Sequence, residues 1–229
     1  MVFHGEIRNF ILMIIAENIT SIVKQLPKTV KLVAVSKNKS NEEIMQAYNA
    51  GQRVFGENKI QDMTRKFEKL PKDIQWHMIG HVQSNKVKYM APYVDLIQSV
   101  DSQKLLKEIN KQAQKNNRVI SCLLQIKISD EETKFGLSIE ECYKAIELAN
   151  NLPYIKIKGL MGMATFTENQ NQIAKEFDRL KVLFYQLIDQ NTPLTTLSMG
   201  MSGDYPIALK KGSNMIRVGS KIFGPRISE

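Results

Sequence analysis

The feature that most constrains the fold is an alternation of short apolar segments with amphipathic segments along nearly the whole chain. The short segments are rich in Val, Ile and Leu, which is typical of strands that are covered on both faces. The predicted strands cover residues 32–35, 53–57, 75–80, 94–99, 119–128, 155–163, 194–199 and 215–218. Helical patterns and short loops separate them, so we expect right-handed βαβ units that close into an α/β fold, the (β/α)8 TIM barrel.

An additional helix is predicted before the first strand. Pro27 ends this helix, and the acidic and basic residues Glu6 and Arg8 flank its apolar run without a small-residue cleavage pattern, unlike a signal peptide. No run is long enough to span a membrane, so we expect a cytoplasmic protein with a single domain over 1–229, comprising a helix in 1–26 and a barrel in 31–229. The apolar face of the helix consists of Ile7, Phe10, Ile11, Ile14, Ile15, Ile19 and Ile22.

Charge and cysteine content narrow the class of protein. The net charge of +9 suggests an anionic partner, but acidic residues are interleaved with the basic ones and no aromatic-basic motif indicates nucleic acid. Cys122 and Cys142 have no CxxC spacing and are interpreted as packing residues in a reducing compartment. No cluster has metal-ligand spacing, and no Ser/His/Asp order or Walker-type loop supports hydrolysis or nucleotide transfer.

Lys37 is the first candidate functional residue. It follows the apolar strand directly, before a capping-box spacing of Ser40 and Glu43 that predicts a helix over Asn41–Ala50. The carboxyl ends of strands are where ligands bind in such folds. Two interpretations stay open: a solvated lysine, or a partly desolvated amine that attacks a carbonyl to form a Schiff base.

Two loops near the end of the chain predict a phosphate site. Gly200 to Asp204 follow the seventh strand and include Ser202, while Gly219 and Ser220 follow the eighth. Glycine backbone amides, serine hydroxyls and a helix start are donors that suit a phosphate, although each glycine alone is equally a turn residue. Barrels often bind phosphate after strands seven and eight.

Polar residues at other strand ends have weaker interpretations. Arg217 lies within an apolar strand, where a charge is unfavourable unless it faces a partner such as a carboxylate or a ring nitrogen. His77 is interpreted as a hydrogen-bonded core residue rather than a base, and Asn58 and Asn85 as helix caps by default. An imine-forming lysine, a phosphate cradle and an arginine are together the anchors that pyridoxal phosphate requires.

Seven stretches, in order through most of the chain, resemble the YggS/PROSC-type pyridoxal-phosphate homeostasis proteins. They are Val33 to Lys37, Phe55 to Asn58 with Gln61, Trp76 to Gly80 with Gln83 to Lys86, Lys134 to Gly136, Gly159 to Ala164, Ser198 to Asp204, and Ile216 to Ser220 with Phe223-Gly224. The resemblance implies a barrel similar to the N-terminal domain of alanine racemases.

The resemblance also implies roles in cofactor binding for seven of the matching residues, and we expect no catalytic or metal-binding residue. Two positions depart from the family's pattern: Ser220 stands where threonine is frequent and keeps the hydroxyl, and Thr165 stands where proline is common. The implied cofactor residues are Lys37 as the Schiff-base lysine, Arg217 facing the pyridine nitrogen, Ser202, Gly219 and Ser220 on the phosphate, and Asn58 and Met161 lining the cofactor.

The expected function is to hold pyridoxal 5'-phosphate and to buffer it or deliver it to apo-enzymes. An arginine beside the ring nitrogen disfavours its protonation and weakens the ring as an electron sink. A racemase also needs an acid/base from a further domain, for which we expect no room before Glu229. The additional N-terminal helix and the expected lack of that second domain together favour a monomer. A single-domain racemase and a Schiff-base aldolase stay as alternatives.

Overall fold

The computed structural model describes residues 2–129, 135–190 and 192–225. Its eight parallel strands form one closed barrel in sequence order, with the first strand paired to the last. Numbered β1 to β8 along the chain, they are Lys31–Val35, Val54–Glu57, Gln75–Met78, Leu96–Val100, Ile120–Ile126, Ile155–Gly162, Thr196–Ser198 and Met215–Val218. The predicted (β/α)8 barrel is therefore confirmed.

Helices precede the barrel and occur in every connection between consecutive strands. Numbered α1 to α9, they are Val2–Gln25, Asn41–Asn49, Ile60–Lys69, Val87–Met90, Gln103–Lys115, Ile139–Ala149, Gln170–Asp189, Tyr205–Lys210 and Ser220–Phe223, with a 3-10 turn at Ser84–Lys86. The additional helix before β1 is present. None of the helices within the described ranges is long and apolar enough to cross a membrane.

Local capping sets the start of α2 as the sequence predicts. Ser40 accepts a hydrogen bond from the amide of Glu43, and the Glu43 carboxylate accepts one from the amide of Ser40. This reciprocal pair satisfies two amides that the first turn of a helix leaves open. It also fixes where the loop after β1, which carries Lys37, ends.

Strand β7 is shorter than predicted, with three residues in place of the segment 194–199. Leu194 donates its amide to Thr192 within a turn. At the other end Gly200 has φ +98°, a backbone conformation that turns the chain out of the strand direction. The apolar run therefore includes flanking residues that pack without extending the strand.

The strands separate an outer and an inner apolar layer. Residues such as Phe55 and Trp76 face the helices and join the main core. Alternate strand residues fill the barrel interior: Val33, Val54, Leu96, Leu123, Met161 and Met215. This alternation follows from the two-residue period of a strand, and it leaves the barrel closed at its centre.

Several predicted core residues are buried. Ile15, Ile19 and Ile22 of α1 are in the main core, whereas the side chains of Ile7, Phe10 and Ile11 lie outside the described part of the helix. Cys122 and Cys142 are buried free thiols, as expected of packing residues. Burial raises the pKa of each thiol to about 12.

Candidate functional site

The predicted cofactor residues lie at one end of the barrel, because parallel strands place all their carboxyl ends on the same side. Strands β1 and β8 are neighbours, with Ala34 opposite Val218, so the loops that follow them are adjacent. The predicted residues come from five strands: Lys37 after β1, Asn58 after β2, Met161 in β6, Ser202 after β7, and Arg217, Gly219 and Ser220 in or after β8.

Three hydrogen bonds fix the backbone of Ser36, the residue before Lys37. The Ser36 amide donates to the Gly56 carbonyl at 3.0 Å, and the Ser36 carbonyl accepts from the amide of Lys39 at 3.0 Å. The same carbonyl accepts from Lys66 Nζ at 2.8 Å. The peptide that joins Ser36 to Lys37 therefore has a fixed orientation, and Lys37 itself is partly buried.

A buried ion pair lies beneath this peptide. Glu57 Oε1 accepts from Lys66 Nζ at 2.8 Å and from Ser36 Oγ at 2.5 Å. Burial raises the pKa of the Glu57 carboxyl, and the nearby Lys66 cation acts in the opposite direction. Sequence reasoning missed this pair, although Lys66 shares the buried face of α3 with Ile60 and Met63, a position where a charge signals a partner.

Asn58 presents an unpaired acceptor at the mouth. Its Oδ1 atom is buried and has no hydrogen-bond partner among the described residues. A Cβ atom on Gly80 would lie 2.3 Å from the Asn58 carbonyl oxygen, so the glycine is required for this close approach. Asn58 is not the cap expected by default, because α3 begins after Lys59.

Arg217 is a buried cation held by neutral groups. It is 3% exposed, and it donates from Nη1 to Ser198 Oγ at 2.6 Å and from Nη2 to the Gly162 carbonyl at 3.0 Å. Burial lowers the pKa of Arg217 to about 10, and the nearby charge of Asp204 opposes that shift. Among the described residues no carboxylate forms an ion pair with the Arg217 guanidinium.

The loops after β7 and β8, where a phosphate site is predicted, are in direct contact. The Gly219 amide donates to Ser202 Oγ at 3.1 Å, which joins the two loops. A Cβ atom on Gly219 would lie 3.3 Å from the Val35 carbonyl oxygen, so a larger residue would crowd the end of β1. Around Gly203 there is open space instead, and Ser220 is exposed.

The donors and acceptors at this end of the barrel are of the kinds that pyridoxal phosphate would need. The Ser202 oxygen already accepts a hydrogen bond, which leaves its hydroxyl hydrogen to donate to an anion. The unpaired Asn58 acceptor, the buried Arg217 guanidinium and the open backbone at Gly203 lie at the same end of the barrel. Among the described residues, no group of His, Cys, Asp or Glu is arranged to hold a metal ion.

Two further predictions have different outcomes. His77 is buried and hydrogen-bonded to Gln98, as predicted for a core residue. Asn85 is not a cap, because it lies inside the 3-10 turn, whose capping position is Gln83. Lys134, which belongs to one of the matching stretches, lies outside the described residues.

The comparisons with known proteins agree on one family. The model of the alanine racemase N-terminal domain matches residues 12–226. A pyridoxal phosphate homeostasis protein from Haemophilus influenzae is 41% identical over 86% of each chain. Another with the same name, from Aquifex aeolicus, is 39% identical over 86% of this chain and 87% of its own length.

Solved structures extend the match to three dimensions. PipY of Synechococcus elongatus, solved with pyridoxal phosphate bound, is 35% identical and covers 92% of this chain and 100% of its own, with a TM-score of 0.85. An alanine racemase from Clostridium difficile shares the fold at 15% identity and a TM-score of 0.79, and 57% of its chain is matched. The chain therefore belongs to the YggS/PROSC-type family of pyridoxal phosphate homeostasis proteins, with the barrel of the alanine racemase N-terminal domain.

Proposed function

We propose that this protein binds pyridoxal 5'-phosphate reversibly at the mouth of the barrel and serves to buffer or deliver it. The observation that carries the proposal is the buried Arg217 guanidinium, which has no carboxylate partner in the described structure and lies on the strand next to the one that precedes Lys37. A buried charge of this kind is unfavourable unless a ligand compensates it. The names of the relatives support the same cofactor.

Each predicted residue has one task in this proposal. When bound, the cofactor supplies an aldehyde that condenses reversibly with a primary amine. Lys37 provides the amine, and the fixed Ser36 peptide limits where that amine reaches. The Asn58 Oδ1 atom and the Met161 side chain are buried, and these two residues line the cofactor. Ser202 and Ser220 provide donors for the phosphate, and Gly219 positions Ser202 beside it, because the Gly219 amide donates to Ser202 Oγ.

Arg217 sets the chemical character of the site. A guanidinium that faces the ring nitrogen disfavours a second positive charge there, so the nitrogen stays without a proton. Carbanion chemistry is therefore weak, which suits a carrier better than a racemase. We propose that apo-enzymes are the recipients and that the protein acts as a cytoplasmic monomer with one domain over 1–229.

The test is an absorption spectrum of the purified protein before and after borohydride reduction, followed by peptide mapping. We expect a reduced cofactor adduct on Lys37 in the wild type and none in Lys37→Ala, which would still bind the cofactor through its phosphate. Lys39→Ala is the matched control, because it removes a second amine from the same loop and should leave the adduct on Lys37. An adduct that persists in Lys37→Ala would contradict the assignment.

The same preparation separates a carrier from an enzyme. Rapid exchange of the α-proton of an added amino acid with solvent would indicate racemase-type turnover. A carrier gives no such exchange, but it transfers the cofactor to an apo-enzyme and restores its activity. Light scattering during size-exclusion chromatography tests the monomer.

A further inference from the structure

A chain of polar side chains crosses the interior of the barrel behind Arg217. Arg217 Nη1 lies 2.6 Å from Ser198 Oγ, Ser198 Oγ lies 2.7 Å from Gln98 Oε1, and Gln98 Nε2 lies 2.9 Å from His77 Nδ1. These residues come from β8, β7, β4 and β3, so the link between Ser198 and Gln98 spans strands that are not neighbours. All four side chains are at most 3% exposed.

This series of hydrogen-bonded side chains is unusual for the interior of a barrel. Bulky apolar residues dominate the interiors of such barrels, and the residues in contact here include Met215, whose sulfur accepts from Gln98 Nε2 at 3.3 Å. Burying an uncharged polar group here is unfavourable unless the group has a hydrogen-bond partner. Apolar residues of similar shape would fill the space without that desolvation cost. A purely structural role therefore explains the chain poorly.

The donors of the chain all point in the same direction. Arginine only donates, so Ser198 Oγ accepts from Arg217 and directs its own hydrogen to Gln98 Oε1. The Gln98 amide nitrogen then donates to His77 Nδ1, which must carry no proton. The remaining proton of the neutral imidazole is on Nε2, the atom that faces Asp95 Oδ2 at 3.3 Å, although without hydrogen-bond alignment.

If the oxygen and nitrogen of the Gln98 amide were exchanged, its contacts with both Ser198 and His77 would become unfavourable. Its nitrogen would then face Ser198, whose hydrogen would lose its acceptor. His77 would donate from Nδ1 and direct an unprotonated Nε2 at the Asp95 carboxylate, which is repulsive. Burial lowers the pKa of His77, which favours the neutral imidazole that the first assignment needs.

This series of hydrogen bonds determines where the Arg217 guanidinium lies. Ser198 accepts from Arg217 only while its hydrogen is directed away, and Gln98 holds that hydrogen. Gln98 in turn is oriented by His77 and by the Met215 sulfur. With the Gly162 carbonyl as its second acceptor, the planar guanidinium has two fixed contacts and one orientation.

We propose that Ser198, Gln98 and His77 are positioning residues that hold Arg217 against the ring nitrogen of bound pyridoxal phosphate and thereby keep that nitrogen unprotonated. The inference rests on the proposed function, since it concerns the same site. None of the three residues has to contact the cofactor. Their effect reaches the ring through the orientation of Arg217 alone.

The test uses cofactor labelled at the ring nitrogen and bound to the full-length protein, with the nitrogen NMR resonance followed as the pH is lowered. In the wild type we expect the resonance of an unprotonated ring nitrogen throughout. In Gln98→Met, which keeps the side-chain size but removes both links, we expect a shift toward the protonated value and about tenfold weaker binding. Ser198→Ala should behave in the same way, and Ser198→Thr, which keeps the hydroxyl, should restore the wild-type resonance.

Gln52→Met is the matched control. Gln52 is also a buried glutamine, but it donates to the backbone carbonyls of Leu32 and Val54 and has no part in the chain. Its variant should keep the wild-type resonance, although it loses stability. A purely structural role would give the Gln98 and Gln52 variants the same spectrum.

The possible failures are distinguishable. Wild-type resonances in both Gln98→Met and Ser198→Ala, with the adduct on Lys37 intact, would overturn this inference and leave the proposed function standing. A shift in Gln52→Met equal to that in Gln98→Met would overturn it as well. A wild-type protein that takes up no pyridoxal phosphate would overturn the proposed function and this inference together.

Discussion

Replacing Lys66 by methionine removes the cation that faces the buried Glu57 carboxylate. Lys66 Nζ is 2.8 Å from Glu57 Oε1, and the Lys66 and Glu57 side chains are 10% and 0% exposed. Methionine fills much of the same volume, so loss of the charge dominates the effect. Removing one partner of a buried ion pair costs about 3–5 kcal/mol, and we expect this loss in the free energy of unfolding near neutral pH.

The loss depends on pH with a defined sign. Burial raises the pKa of Glu57 in the folded protein, and the variant lacks the cation that opposes this shift. A carboxyl whose folded pKa is raised stabilises the protein most below its unfolded pKa, because the folded state then binds its proton more tightly. The deficit of Lys66→Met should thus be small at about pH 4, and it should grow by up to about 1.4 kcal/mol per pH unit once the pH exceeds the raised pKa of Glu57 in the folded wild type.

Urea unfolding, followed by the fluorescence of the single tryptophan, Trp76, measures this change because that side chain is fully buried. The double variant Lys66→Met/Glu57→Gln is the control, since it leaves no buried charge and should regain most of the stability. A free energy of unfolding equal to that of the wild type at neutral pH would refute the reasoning. An equal loss of unfolding free energy at neutral pH and at about pH 4 would refute it as well.

Three further predictions concern backbone, thiol and phenol groups. Gly200→Ala should lower the free energy of unfolding, measured in urea, by about 1–3 kcal/mol. Gly200 has a φ of +98°, and a Cβ atom there would lie 2.6 Å from Ala208 Cβ. Gly203→Ala is the control and should be nearly neutral, because there is open space around Gly203. Cys122 and Cys142 should react with a thiol reagent only after denaturation, since burial raises the pKa of each to about 12. In a spectrophotometric alkaline titration Tyr93 should ionise with a pKa of about 12, raised chiefly by burial, and an ordinary value near about 10 would contradict its packing.

The barrel was predictable because its signals are local. A buried strand and a capping box each involve residues within a few positions of one another, as with Ser40 and Glu43. Arg217 was also recognisable, because a charge within an apolar strand needs a partner. The same local reasoning gave Asn58 and Asn85 default roles as caps, which the surrounding backbone does not support.

The contacts that orient the candidate site were not predictable in this way. Gln98 and Ser198 are separated by 100 positions, and their hydrogen bond exists only because the barrel brings β4 and β7 across from each other. Lys66 reaches Ser36 from a helix 30 positions further along the chain. Sequence spacing identifies which strand end carries a polar residue, but it contains no information on which distant side chain meets it inside the closed barrel.

The pairing of β1 with β8 has a consequence for the time course of folding. Lys37 belongs to the first loop of the barrel and Gly219 to the last, so the two ends of the candidate site come together only when the last strand closes the ring. We expect the closure of a ring between such distant segments to be late and slow, because its loop entropy must be overcome before any contact is gained. A folding intermediate in which β8 has not yet joined the barrel thus lacks a complete site, and cofactor capture should report the closure of the ring.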